Sequence, residues 1–336
     1  MDWPYSSIGS YSMPSEACVG TMLWGRHTPA AEAHAMISVA LDRGVCFFDT
    51  AAAYPTWPYA AETFGLSETI IGDWIRRNGR GDMRISTKMR SPMAVDGIES
   101  AVDDSLRRLN IDAIDYYQFH WPNRGSYCFG NNWHYDPTSQ DTSRTLELMT
   151  GSLGRLDALV RAGKIRTLGM SNETAWGVTK WNCIARQNGW ASLRFVQNEY
   201  SLLHRLFDLD MAEACHHEDM GLFAWTPLAG GLLTGKYSRD HSPPGSRRTK
   251  GCLGRRDGEN VWPALHEYQQ VAADFGLDMV HMSLSWVASR PMTTAVIVGA
   301  TNAEQLSHNL GYQHVSLSRE ILDRLDAVHR KHPLPF

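Results

Sequence analysis

The sequence predicts a (β/α)8 TIM barrel on three observations. Eight short apolar runs recur along it, amphipathic helical stretches separate them, and chemically active side chains stand where successive runs end. Such alternation is the mark of a parallel sheet closed on itself with helices outside it. A chain of 336 residues, 43% hydrophobic and 20% charged, is long enough to bury one large barrel, so 1–336 reads as a single domain. An open doubly wound sheet fits less well, because no GxGxxG follows the first run, where Gly20 is succeeded by TMLWGRH.

The runs are ACVGT (17–21), CFFDT (46–50), MRISTKM (83–89), AIDYYQFH (113–120), KIRTLGMSN (164–172), LRFVQNEY (193–200), GLFAWTPL (221–228) and TTAVIVGA (293–300). Their length and turn-rich borders suit buried strands. Between them, Thr28 with Pro29 predicts a helix start as N-cap and first-turn proline, with a stop at Gly44. Ser67 predicts the cap of a helix whose Ile70, Ile71, Trp74 and Ile75 share a face before Gly79. Leu146, Met149, Leu153, Leu156 and Val160 repeat at helical spacing before Gly163, a core stripe. Two polar stretches interrupt the alternation, 121–143 after the fourth strand and 238–260 after the seventh. Loops that follow barrel strands surround the active site, so long ones there shape what binds.

Charge and composition exclude several classes of function. The formal net charge is −4 and no basic run is long enough to track phosphates, so neither nucleic acid nor a membrane surface is an expected partner. Residues 1–15 lack the apolar core of a secretory signal, and no apolar run approaches the roughly 18 residues of a membrane span. A soluble cytoplasmic protein is therefore expected. The six cysteines, Cys18, Cys46, Cys128, Cys183, Cys215 and Cys252, show no CxxC spacing, so neither a zinc ribbon nor a redox pair is indicated, and most of them read as small buried residues.

CFFDTAAAYP, 46–55, drives a carboxylate into the protein at a strand end and places Tyr54 five positions later. Taken singly, an Asp at a strand end is a turn cap, a Tyr is packing, a Lys is a solvated charge and a His is a satisfied hydrogen-bonder. Asp49, Lys88 and His120, however, close three successive strands, so all three converge at one mouth of the barrel, with Tyr54 on the adjoining loop.

The ordered set GVCFFDTAAAYP, ISTKM, YYQFHWP, GKIRTLGMSN, VQNEYSLLHR, PLAGGLLTGKY and IVGATNAEQLSHN resembles the aldo-keto reductase superfamily, specifically its Tas-like bacterial members, over about residues 8 to 330. IGSYSMPSEACVGTM resembles the family's opening segment, a small β-hairpin. The resemblance implies an oxidoreductase that reduces an aldehyde or ketone to an alcohol, or the reverse. Asp49, Tyr54, Lys88 and His120 match its catalytic tetrad. By that match Tyr54 donates a proton to the carbonyl oxygen, and the Lys88 ammonium lowers its phenol from the usual pKa of about 10. Asp49 keeps Lys88 charged, and a neutral His120 orients the carbonyl.

The resemblance also implies NADP(H), with NAD(H) as the alternative, lying extended across the mouth. Ser171, Asn172 and Gln197 match the carboxamide contacts, and Trp225 stands where the family usually stacks a Tyr on the nicotinamide. Gly20, Thr21, Met22 and Asp49 adjoin that end; Thr226, Pro227, Leu228, Gly230, Gly231 and Lys236 pass beneath the pyrophosphate. Gly299, Thr301, Gln305, His308 and Asn309 surround a helix N-terminus suited to the adenosine 2′-phosphate, with Gln305 where many relatives have Arg and His308 where many have Glu. Arg205 and the arginines of GSRRTKGCLGRR add charge nearby or are plain solvated loop charges. For the substrate, a small carbonyl or alcohol, Trp24, Trp57 and Trp121, with Trp133, form an aromatic pocket.

Two other readings stand beside this one. A regulatory or redox-sensing subunit that binds NADP with little turnover would keep the same residues. A metal-dependent barrel hydrolase would use His120, His134, His216 and His217, but no HxH or HExxH spacing supports it, so no metal is expected. Oligomeric state is not set by the sequence.

Overall fold

The structure is a computed structural model that describes residues 7–8, 11–12, 17–56, 60–90, 94–128 and 133–336. Two short strands, β1 (Ser7–Ile8) and β2 (Tyr11–Ser12), pair antiparallel as the opening hairpin. The next eight are β3 (Ala17–Gly20), β4 (Phe47–Asp49), β5 (Arg84–Met89), β6 (Ile114–Phe119), β7 (Ile165–Ser171), β8 (Leu193–Glu199), β9 (Gly221–Trp225) and β10 (Thr293–Gly299). They form a closed parallel barrel in sequence order, sealed where β10 pairs with β3 through Val298↔Val19 and its neighbours. Each of the eight apolar runs became one of these strands.

Aromatic packing fills the barrel interior. Phe47, Tyr116, Phe195 and Phe223 interlock with Cys18, Ala295 and Ile297, and the Phe195 and Phe223 rings stack with centroids 4.2 Å apart. Gly169 in β7 makes that stack possible, since a Cβ there would come within 2.4 Å of the Phe195 ring. A larger apolar layer lies outside, between the barrel and its helices.

Those helices include α1 (Ala30–Asp42), α2 (Leu66–Asn78), α3 (Ile98–Leu109), α4 (Thr142–Arg161), α5 (Ala175–Asn188) and α6 (Asp210–His217). The connection from β9 to β10 carries two, α7 (Val261–Asp274) and α8 (Met279–Ala288), and α9 (Ala303–Leu310) and α10 (Arg319–Lys331) follow β10. The predicted starts near Thr28 and Ser67 hold, but the capping roles do not. Pro29 is the N-cap of α1, and the Thr28 hydroxyl instead donates to Thr301 O at 3.2 Å. Gly65 is the N-cap of α2, while Ser67 Oγ reaches Thr21 O and Trp24 O at 3.0 and 2.9 Å, fastening the helix to the loop after β3. Both hydroxyls serve tertiary acceptors, which outrank the local cap. The long connections fall where predicted, after β6 and after β9.

Candidate active site

Parallel register brings the chemistry to one end. Asp49 is the last residue of β4, Lys88 the second-last of β5, and His120 follows β6 directly. Backbone bonds carry the ladder past the strand ends: Thr21 N to Asp49 O at 3.0 Å, Ala52 N to Lys88 O at 3.0 Å and His120 N to Met89 O at 3.2 Å. The loop bearing Tyr54 is thereby tied to the barrel, not left free.

Lys88 is fully buried, and its Nζ donates to Asp49 Oδ2 at 2.6 Å and to Thr50 O at 2.7 Å. The second carboxylate oxygen, Asp49 Oδ1, accepts from Gln197 Nε2 at 2.8 Å. Burial alone would lower the Lys88 pKa, but the Asp49 charge, joined by Tyr54, outweighs it and the net direction is upward. The ammonium sits 4.8 Å from the centroid of the Tyr54 ring. Burial raises the Tyr54 phenol, and although the Lys88 charge and hydrogen bond pull it down, the net direction is upward. That corrects the expected net lowering: Lys88 acts in the expected direction, but desolvation of a phenolate at this depth is the larger effect. Burial and then the Lys88 charge hold His120 well below the usual imidazole range, so it is neutral, and its ring lies edge-on to Tyr54 with centroids 5.4 Å apart.

Beside this group lie the residues matched to a nicotinamide. Ser171 Oγ donates to Gln197 O at 2.9 Å, and Asn172 Nδ2 donates to His120 O at 2.9 Å and Ser171 Oγ at 3.1 Å. Asn172 Oδ1 is buried with no partner among the described residues. A carboxamide N–H is the donor that atom lacks, so the residues present fit the group. Trp225 packs against the interior aromatics and also lines a cleft with Asn172, Tyr127, Cys128, Glu199 and Arg255. Gly20, Thr21 and Met22 lie at the end of β3 and just beyond it, where Thr21 Oγ1 donates to Asp49 O at 3.0 Å.

Thr226, Pro227 and Leu228 lead from β9 into a turn where Gly230 and Gly231 have φ of 71° and 103°. A Cβ on Gly231 would lie 3.8 Å from Lys236 Nζ, and one on Gly230 would meet Arg256 and Arg247 at 3.8 and 4.0 Å. Gly231 N already donates to Leu228 O at 2.9 Å and Arg256 pairs with Glu199, so what suits an anion at this turn is the nearby charge of Lys236 and Arg247. The loop arginines are not all solvated: Arg255 and Arg256 both pair with the buried Glu199, and Arg205 joins Asp208 at 2.7 Å and Asp326 at 2.8 Å.

At the far end, the donors around α9 are satisfied from within. Gln305 Oε1 accepts from Thr301 N at 2.8 Å, Asn302 Oδ1 accepts from Gln305 N at 2.8 Å, and Asn309 Nδ2 donates to Gly299 O at 3.2 Å. Ala303 N is bound at 2.6 Å by the Glu32 carboxylate of α1, a negative charge beside the proposed phosphate position. His308 is half exposed, in the last turn of α9.

Of the tryptophans assigned to substrate, Trp121 stands beside the tetrad, its ring 4.8 Å from that of His120. Trp24 is fully buried in the core outside the barrel, so its place is in packing. Trp57 lies outside the described residues, and Trp133 is largely exposed. Histidines 120, 134, 216 and 217 are not gathered into a cluster among the described residues. Sequence reasoning missed Tyr127, Cys128, His204 and the Glu199–arginine group at the cleft. Only the acidic residue inside VQNEY, two positions after Gln197, hinted at it.

The model of the Aldo/keto reductase family matches residues 16–330. The chain belongs to the aldo/keto reductase family. Protein tas of Escherichia coli (strain K12) is 36% identical over 338 residues, 94% of each chain, so the Tas-like resemblance holds. The uncharacterized oxidoreductase YrpG of Bacillus subtilis (strain 168) is 31% identical over 94% of this chain and 92% of its own. The NADH-specific methylglyoxal reductase of E. coli (strain K12) is 25% identical over 82% and 80%. As an aldo/keto reductase the chain is an oxidoreductase of carbonyl chemistry, acting on small molecules with a nicotinamide cofactor. No helix among the described residues is long and apolar enough to cross a membrane.

Proposed function

We propose that the chain reduces an aldehyde or ketone to an alcohol with NADP(H), with Tyr54 as the general acid. The observation that carries this reading is a fully buried ammonium held between the Asp49 carboxylate and the Tyr54 phenol at the mouth of a closed barrel. A bound reduced nicotinamide supplies the hydride.

The chain's own residues supply the rest. Ser171, Asn172 and Gln197 hold the carboxamide, Trp225 gives the ring a flat apolar face, and the Gly230–Gly231 turn with Lys236 receives the pyrophosphate. Neutral His120 donates a hydrogen bond to the substrate carbonyl, fixing its direction relative to Tyr54. Tyr54 then passes its phenolic proton to the carbonyl oxygen, and Lys88 stabilises the phenolate left behind. An upward-shifted Tyr54 suits this order, because the proton is in place at neutral pH until the reaction calls for it. Trp121, next to His120, is the side chain best placed to meet the substrate's apolar part.

NAD(H) is a second reading with its own support: Glu32 already occupies Ala303 N, and Gln305 brings no charge to a 2′-phosphate. Fluorescence titration with NADPH and NADH, followed by a panel of aldehydes and ketones, tests both levels. Saturable NADPH quenching at lower concentration than NADH, with turnover on the panel, is the expected result. Tighter NADH binding moves the assignment to NAD(H). Tight cofactor binding with negligible turnover across the panel favours the regulatory subunit.

A further inference from the structure

Away from the barrel mouth's catalytic group, three side chains with metal-ligand chemistry meet where α8 begins and α9 ends. We propose that Asp278, His281 and His308 form a surface site for a divalent transition metal of the zinc and nickel class, completed by water. Each offers one ligand atom, and these atoms all lie within 4.8 Å of one another.

The spacing fits such a metal. His308 Nε2 and Asp278 Oδ2 are 3.4 Å apart, which is long for a charge-assisted hydrogen bond. Two ligands about 2.0–2.1 Å from a tetrahedral zinc stand about 3.4 Å from each other. The outer contacts fit as well. His281 Nε2 lies 2.7 Å from His308 O, so it carries the proton as donor and leaves Nδ1 with the free lone pair. Metal-bound histidines commonly anchor their other nitrogen on a backbone carbonyl in this way. The Asp278 carboxylate is anchored too, since Oδ1 accepts from His281 N at 2.9 Å.

The two imidazoles stack at 4.7 Å with 27° between planes, and the remaining gap closes by side-chain rotation of half-exposed groups. Two nitrogen donors with one carboxylate favour zinc or nickel over magnesium or calcium, which prefer all-oxygen sets. The bound ion would pin the last turn of α9 to the first turn of α8, on the helix that carries Gln305 and Asn309. The site itself stands on these three residues alone and does not depend on which cofactor is used.

Calorimetric titration of the whole, chelator-treated chain with ZnCl2, NiCl2 and MgCl2 tests it, alongside Asp278→Asn and His281→Ala. Asp278→Asn keeps the capping acceptor of α8, so the fold survives. We expect one equivalent of Zn2+ or Ni2+ to bind, no comparable Mg2+ binding, and at least about a tenfold loss of affinity in either variant. Zn2+ should raise the melting temperature of the parent chain and lose that effect in both variants. Absence of a Zn2+ equivalent, or one unchanged in both variants, overturns the site. So does binding that disappears instead when His216 and His217 are replaced by alanine.

Discussion

Asp49 and Tyr54 share one ammonium, yet substituting them should do opposite things. Asp49→Asn keeps the shape and removes the charge that holds Lys88 protonated against complete burial. An uncompensated buried charge costs about 3–5 kcal/mol, so this variant should lose stability of that order in urea unfolding, with the Lys88 pKa falling. Unchanged stability would mean that the pair is solvated and not the core of the site. Tyr54→Phe removes one oxygen and no buried charge. Its turnover should drop by about two decades or more while the NADPH dissociation constant stays put. Retained turnover would take Tyr54 out of the chemistry. The sequence displayed both residues plainly, but not the net upward shift of the phenol, because depth of burial is a property of the folded mouth and not of the motif.

Elements were legible where their signal was their own. A buried parallel strand needs apolar side chains on both faces, so FFD, GLFAW and TTAVIVG announced themselves as runs. Caps were less legible, because Thr28 and Ser67 spend their hydroxyls on partners 273 and 46 residues away. The cleft residues Glu199, Arg255 and Arg256 were hidden for the same reason: the ion pairs cross 56 and 57 positions, and an Arg pair in a loop reads locally as surface. Close helix packing is equally non-local. Gly72 in α2 faces the end of α3 so tightly that a Cβ would lie 2.0 Å from Arg108 O, which is backbone and cannot swing aside. Alanine is the better helix former by about 1 kcal/mol, so propensity alone predicts that Gly72→Ala stabilises. Overpacking should win, and the variant should lose about 1–3 kcal/mol. Gly79, the C-cap of the same helix, marks the contrast: a Cβ there meets nothing within 4 Å, and its φ of 79° is what favours glycine. Thermal melting decides, and a higher midpoint for Gly72→Ala would refute the α2–α3 approach.

For the molecule as a whole, the shifted groups bound a window of pH in which the barrel is most stable. Burial, then the Lys88 charge, depresses His120; burial, partly offset by Glu199, depresses His204. Both are neutral when folded, and the unfolded chain takes up their protons near the ordinary value of about 6.5. A depressed folded pKa gives stability that is present above the unfolded value and lost as pH falls, so decline begins near pH 6.5. Glu199 follows at lower pH: burial raises it, but the charges of Arg256, of His204 once it has taken up a proton, and of Arg255 set the net direction downward, and that stability goes as acid neutralises the carboxylate. On the alkaline side the sign reverses. Burial raises Tyr54 and pushes Tyr116 up to about 12, and Lys88 is raised as well, so their contributions are intact below the ordinary values near 10 and fade above them. Melting temperature should therefore form a plateau between about pH 7 and 10 and fall on both sides. His204→Gln should make the acid limb shallower, leaving the His120 part of it, without moving the alkaline one. A midpoint that stays level from pH 7.5 down to 5 would show that these imidazoles keep water in the folded state, which would also undo the neutral His120 on which carbonyl orientation depends.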